Sequence, residues 1–144
     1  KKIISNSSEE TINLAEKIAP SLKTGDVIIL VGDLGSGKTK FTQGILKYFD
    51  LEDEISSPTF TIVNEYYSKH QNIYHFDVYR LEDSSEFYAI GGDEYFQKGI
   101  CLIEWGEKIE DALPLNYRKI SFSRDLEHEN RRVLDFENFD DIDI

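Results

Sequence analysis

Two runs of the chain are apolar from end to end, Val27-Ile28-Ile29-Leu30-Val31 and Ile100-Cys101-Leu102-Ile103. Uninterrupted apolar character over four or five residues predicts strands covered on both faces, not half-exposed ones. Elsewhere the period changes. Ile12, Ala15, Ile18, Ala19 and Leu22 recur at helical spacing behind Ser7 and Glu10, a capping-box pattern that starts a helix. Lys38 to Tyr48 carries Phe41, Ile45 and Tyr48, or Leu46 and Phe49, on helical faces. Thr59 to Tyr67 and Asn72 to Arg80 alternate around the polar turn 68–71 and predict an antiparallel hairpin. Ile3-Ile4 reads as a short first strand, Thr24-Gly25-Asp26 as a turn, and 84–98 as short helices broken at Gly91-Gly92. Tyr117 to Phe122 and Arg132 to Phe139 alternate like two more strands, and the acidic stretch from Glu137 to Asp143 reads as a solvated or frayed end.

Composition narrows the function classes. The 144 residues fit a single domain spanning 1–144, and 40% hydrophobic residues suit a packed core. A net charge of -12 excludes a broad independent grip on nucleic acid, which needs many cationic contacts. A local anion site held by backbone N–H groups remains open. No run of about 18 apolar residues is present, so no membrane is involved. The basic first residues lead into Ser7, Ser8, Glu9 and Glu10 instead of an apolar signal region, and the single Cys101 suits a reducing compartment. The expected location is cytoplasmic, with Cys101 a buried structural thiol.

Candidate chemistry begins where the first apolar run ends. Gly32-Asp33-Leu34-Gly35-Ser36-Gly37-Lys38-Thr39 satisfies G-x-x-x-x-G-K-[ST] between a predicted strand and a predicted helix. Glycines let successive N–H groups turn toward an anion, the helix start adds its positive dipole end, Lys38 reaches the outer phosphates, and Thr39 offers a hydroxyl to Mg²⁺. The expected fold is therefore α/β, a P-loop NTPase-like three-layer sandwich around a mixed central sheet. Such enzymes need an acidic residue at the end of a neighbouring strand. Glu104, closing the second apolar run, is assigned to Mg²⁺. Asp77, at the end of an alternating, hairpin-like stretch, takes a catalytic or metal-linked role. Absence of an Asn-Lys-x-Asp element favours adenine by elimination. The histidines, His75 included, lack metal-ligand spacing and read as packing or surface.

Four blocks add a resemblance: Gly-Asp-Leu-Gly-Ser-Gly-Lys-Thr (32–39), Ser-Pro-Thr-Phe-Thr-Ile-Val-Asn-Glu-Tyr (57–66), Tyr-His-Phe-Asp-Val-Tyr-Arg-Leu (74–81) and Ile-Glu-Trp (103–105). In order and spacing, over about residues 5–115, they are similar to the bacterial TsaE family, also called YjeE. The resemblance implies an ATPase that acts with the proteins TsaB and TsaD to form threonylcarbamoyladenosine at position 37 of tRNAs reading codons beginning with A. It touches tRNA only indirectly through that complex. It implies that Gly35, Ser36, Gly37, Lys38, Thr39 and Lys40 hold phosphates, that Thr39 and Glu104 bind Mg²⁺, and that Asp77 serves hydrolysis. It also puts Thr59 in a switch-like loop near the γ-phosphate and Ser8 and Thr11 beside the adenine. Trp105, beside Glu104, reads as packing near the metal site, at a partner interface or, as a lone Trp most often does, in the core. Lys40 departs from the pattern, since many members carry a second threonine there. No block aligns beyond about Asn116, which leaves the role of Arg131 and Arg132 as nucleotide contacts open; with Arg80 they read as phosphate or interface cations or, as isolated arginines on strands, as surface. Two further readings stay open: a small-molecule kinase, disfavoured by only five arginines, and a nucleotide-dependent interaction module with little hydrolysis.

Overall fold

The structure, a computed structural model, describes residues 1–33, 35–51 and 62–144. Seven strands form one sheet: β1 (Lys2–Ser5), β2 (Val27–Val31), β3 (Val63–Tyr67), β4 (Asn72–Asp77), β5 (Ile100–Glu104), β6 (Arg118–Asp125) and β7 (His128–Glu137). Their spatial order is β1-β7-β6-β2-β5-β4-β3. The centre is parallel, β6-β2-β5-β4, while β3, β7 and β1 add antiparallel edges. This is the mixed central sheet of the expected α/β sandwich.

Both faces of the centre are covered, as the unbroken apolar runs require. Ile28 and Leu30 of β2 point to one side, into a cluster with α1 (Ser8–Ile18) and α2 (Lys38–Tyr48). Val27 and Ile29 point to the other, against α3 (Ser84–Ala89) and the 3₁₀ turn Gly106–Ala112. Period-two alternation thus divides one strand between two cores. Ser7 caps α1, its hydroxyl accepting the Glu10 N–H at 3.0 Å, while the Glu10 carboxylate reaches back to the Asn6 N–H. The helix buries Thr11, Ala15 and Ile18, and Ile12 is only half-buried. At Gly44 of α2 any side chain would run into the Ile12 carbonyl, so the glycine sets how closely the two helices approach.

The expected hairpin forms, β4 pairing antiparallel with β3, but the alternation read for β4 does not hold: Ile73, Tyr74, His75 and Phe76 are all buried, because β4 lies between β3 and β5. The acidic end is not frayed either. Phe139 and Ile142 are buried in the α1–α2 core, and Asp141 clasps Arg118. The last strands are also longer than the alternation indicated, with a register shift between Arg124 and Asp125. Cys101 is a buried thiol, and burial pushes it up to about 12.

Candidate functional site

β2 runs straight into the glycine loop, and α2 follows. Gly37 stands at the helix start with φ +114°, a conformation that strains any L side chain, and no side chain caps the helix there. The first N–H groups of α2 are left for another acceptor, the arrangement that makes a helix start an anion site. Gly32 is constrained by space: a Cβ would lie 2.7 Å from both the Phe122 carbonyl and the Ser36 hydroxyl. The loop is therefore pressed between β6 and its own turn.

Register brings the carboxylates to the same place. Because β4, β5 and β2 are parallel, Asp77 pairs with Glu104, and Glu104 with Leu30, at their carboxyl ends. Ligands of open α/β sheets bind in the crevice outside such strand ends. A cavity of about 680 Å³ opens there, a volume that suits a small organic ligand. It is lined by Lys38, Thr39 and Thr42 of α2, by Asp77, Glu104, Tyr79 and Trp105, by Ser8 and Thr11 of α1, and by Asn130 and Arg132 of β7; β4 and β7 stand on opposite sides of β2 in the sheet.

Inside the cavity the charges are close and shielded. Lys38 Nζ lies 3.6 Å from Glu104 Oε1, the two side chains being only 9% and 13% exposed. The other carboxylate oxygen, Oε2, is 2.6 Å from His75 Nε2. Burial pushes the Glu104 carboxyl upward, but the hydrogen bond and charge of His75, joined by Lys38, outweigh it and hold the group below the usual carboxylate range. Glu104 is thus ionised at neutral pH, and His75 Nε2–H donates to it. Trp105, 39% exposed with φ +64°, lays its ring against Tyr79, with Lys38 Nζ 5.7 Å from the ring centroid. Asp77 Oδ1 accepts the Tyr79 N–H at 3.0 Å. Ser36 Oγ, Thr42 Oγ1 and His75 Nδ1 are buried without a hydrogen-bond partner among the described residues.

Most of the residues singled out in the sequence therefore meet in one cavity: Ser8, Thr11, Gly35, Gly37 and Lys38 on one side of the account, and Thr39, Lys40, Asp77, Glu104 and Trp105 on the other. Ser36 is buried beneath the loop, its N–H bonded to the Asp33 carbonyl. Thr11 Oγ1 sits 2.7 Å from Ser5 Oγ. Thr59 lies outside the described residues. Sequence reasoning missed His75 and Arg124 and left Arg132 undecided. His75 precedes Asp77 by two positions on one strand, so the period alone puts both on one face. Arg124 and Arg132 come from the β6–β7 hairpin, where no local pattern marks them, and both donate to the Gly35 carbonyl. Arg131 turns away instead, to Asn6 and Asp125.

The donor set has the right chemistry for a magnesium nucleotide. A hard divalent cation takes oxygen ligands, and the Thr39 hydroxyl and Glu104 carboxylate face the same cavity. Polyphosphate needs N–H groups and a cation, which the uncapped helix start and Lys38 supply.

Comparison with known proteins gives the same direction. The family model for threonylcarbamoyl adenosine biosynthesis protein TsaE matches residues 5–133. The tRNA threonylcarbamoyladenosine biosynthesis protein TsaE of Bacillus subtilis (strain 168) is 46% identical over 117 residues, covering 81% of this chain and 73% of that protein. The protein of the same name from Rickettsia felis is 41% identical over 134 residues, 91% of this chain and 76% of its own length. The crystal structure of Bacillus subtilis YdiB superposes with a TM-score of 0.74 at 37% identity, covering 94% of this chain and 83% of the other.

Proposed function

The chain belongs to the TsaE family, and from that premise we propose that it binds and hydrolyses MgATP in the cavity at the head of α2. In doing so it supports formation of threonylcarbamoyladenosine in tRNAs that read codons beginning with A, acting with TsaB and TsaD. The observation that carries this reading is the parallel register that sets Asp77 beside Glu104, within reach of Lys38. The setting is the cytoplasm, and no helix among the described residues is long and apolar enough to cross a membrane. Contact with tRNA runs through the complex, since a chain of net charge -12 has few cations for a phosphate backbone.

Each residue then has a defined task. The N–H groups from Gly35 to Lys40 hold phosphate oxygens. Lys38 exchanges its Glu104 partner for a phosphate oxygen, which frees Glu104 Oε1, while the 2.6 Å bond from His75 keeps the carboxylate oriented. Thr39 and Glu104 would hold Mg²⁺, which would neutralise and orient the phosphates. Asp77, anchored by the Tyr79 N–H, orients the attacking water. Ser8 and Thr11 border the base, Trp105 packs over Lys38, and Thr59, outside the described residues, is assigned to the terminal phosphate on the family resemblance alone.

The test is reconstitution. Purified chain added to TsaB, TsaD, ATP, Mg²⁺ and the small-molecule precursors should be required for repeated rounds of tRNA modification, with phosphate released in parallel. Modification at full rate without the chain would sink the proposal. Rapid transfer of phosphate to a small metabolite would favour a kinase instead, and nucleotide-dependent docking without hydrolysis an interaction module.

A further inference from the structure

Behind the Lys38–Glu104 pair the cavity is lined by two polar side chains whose free atoms the nucleotide reading does not use. Thr42 lies one turn further along α2 than Lys38, and His75 lies two residues before Asp77 on β4; both line the cavity. They are 0% and 3% exposed. Among the described residues three buried side-chain polar atoms lack a hydrogen-bond partner, and two of them are Thr42 Oγ1 and His75 Nδ1. A threonine inside a helix ordinarily folds its hydroxyl back onto the carbonyl one turn earlier. Thr42 does not, so its O–H proton is free for another acceptor. Valine would fill the same space without the unmet bond, so the hydroxyl is costly unless something completes it.

The imidazole has the complementary need. Glu104 is ionised and only accepts, so His75 Nε2, 2.6 Å from Oε2, carries the proton. In the neutral ring that makes Nδ1 an acceptor, and the nitrogen that carries the proton is settled by the bond the other one makes. A donor at Nδ1 therefore holds the ring in the form that serves Glu104. Thr42 offers a buried donor without an acceptor and His75 a buried acceptor without a donor. Both line one cavity, and no direct hydrogen bond joins them, an arrangement that one bridging water completes.

We infer that Thr42 is a positioning residue for Glu104: its hydroxyl donates through one buried water to His75 Nδ1 and so locks His75 as the Nε2–H tautomer whose proton goes to the carboxylate. Metal-binding carboxylates are themselves held by such outer partners, and losing one costs about 10–100-fold in metal affinity or activity. The inference rests on the assignment of Glu104 to Mg²⁺ above and adds the groups that orient it from behind.

Side-chain nitrogen NMR and titration calorimetry on the full chain test it. At pH 8, above the ordinary histidine value of about 6.5, His75 of the unaltered chain should be the Nε2–H tautomer without nucleotide, with Nδ1 shifted as a hydrogen-bonded acceptor. Thr42→Val, which keeps the shape and removes the hydroxyl, should move Nδ1 to the position of a bare imine nitrogen or mix the tautomers, and Thr42→Ser should restore the unaltered pattern. In calorimetry the factor by which Mg²⁺ tightens ATP should shrink about tenfold in Thr42→Val, the lower end of that range because Thr42 acts through a water, while ATP affinity in EDTA holds steady. The same substitution made in His75→Gln, whose amide donates to Glu104 with no tautomer to choose, should bring no further loss. Unchanged His75 resonances in Thr42→Val, or equal losses of metal-free and Mg²⁺-dependent affinity, overturn the inference. If Thr42→Val does not fold, the unaltered chain decides: a hydrogen-bonded, unprotonated Nδ1 supports the inference, and a bare or protonated Nδ1 overturns it. ATP binding that ignores Mg²⁺ in the unaltered chain is a different result, which overturns the metal reading of Glu104, and Thr42's part in it, even where the tautomer is as expected.

Discussion

Cations meet carboxylates at both ends of the parallel centre of the sheet, and the two meetings are built differently. At the amino end Arg118 makes a two-pronged bond to Asp141, donates to the Asn138 carbonyl at 2.9 Å, lies 3.6 Å from Asp26 and stacks over Phe139. At the carboxyl end Lys38 has one ion pair at 3.6 Å, and three buried polar atoms nearby have no hydrogen-bond partner among the described residues. Saturated polar clusters fix a fold; incompletely satisfied ones are costly to keep and mark places where a ligand completes the set. The amino-end cluster thus reads as structural and the carboxyl-end cluster as functional, and substitutions should separate them.

The sharpest separation should come from Lys38→Ala. On the proposed reading it removes the ammonium that would exchange Glu104 for phosphate, so MgATP affinity should fall on the order of 100-fold or more in calorimetry, from charge-assisted bonds of about 1.5–3 kcal/mol each. The chain should remain folded, because Glu104 keeps its His75 donor. Retained affinity would show that Lys38 serves packing. Next in size is Asp77→Asn, which leaves shape and most hydrogen bonding intact. Phosphate release measured with TsaB and TsaD present should drop about 100-fold, the scale of a lost general base or water-orienting group, while affinity changes less than about threefold. Equal losses in affinity and turnover would move Asp77 from hydrolysis to binding.

The amino end should answer in the opposite currency. Arg118→Met strands Asp26, which is 8% exposed, without its cation. Urea unfolding should show a loss of about 2–3 kcal/mol, at or below the low end of the range for breaking a buried pair since Asp141 can turn to water. MgATP affinity should stay within about twofold. A large affinity loss without a stability loss would contradict the division between the two ends.

How far the sequence exposed this division depended on whether the informative signal was local. The glycine loop, β2 and β5 are read from consecutive residues, since an apolar run needs cover on both faces wherever it lies. Asp77 could be singled out for its chemistry and its strand paired with β3, but the parallel pairing with β5 could not be read. Tyr74 and His75 dilute the apolar pattern of β4, and only the neighbour β5 explains why they are buried. His75 takes its role from Glu104, 29 positions away, and Arg132 takes its role from Gly35, 97 positions away. The tail misleads for the same reason: four acidic residues between 137 and 143 dominate its composition, while Phe139 and Ile142 supply its attachment. Composition describes the solvent side of such a segment, and a few apolar anchors decide where it docks.

That docking gives the smallest and most specific expectation. The hydrogen bond from Arg118, with its charge, holds the Asp141 carboxyl at about 2, below the ordinary 3.8. A carboxyl with a lowered value in the folded chain stabilises it fully above its ordinary value and loses that contribution as pH falls through the lowered one. Asp141→Asn should therefore be less stable than the unaltered chain at pH 6, by a modest amount because the carboxylate is exposed to water. The gap in urea midpoint should hold constant down to about pH 4 and close as pH approaches about 2. Comparing the two proteins at each pH removes the changes they share, including relief of repulsion among the other acidic residues as their charge is titrated away. A gap that stays constant down to pH 2.5 would mean that Asp141 acts through shape and hydrogen bonding alone, and the amino-end cluster would lose its charged member while keeping its packing.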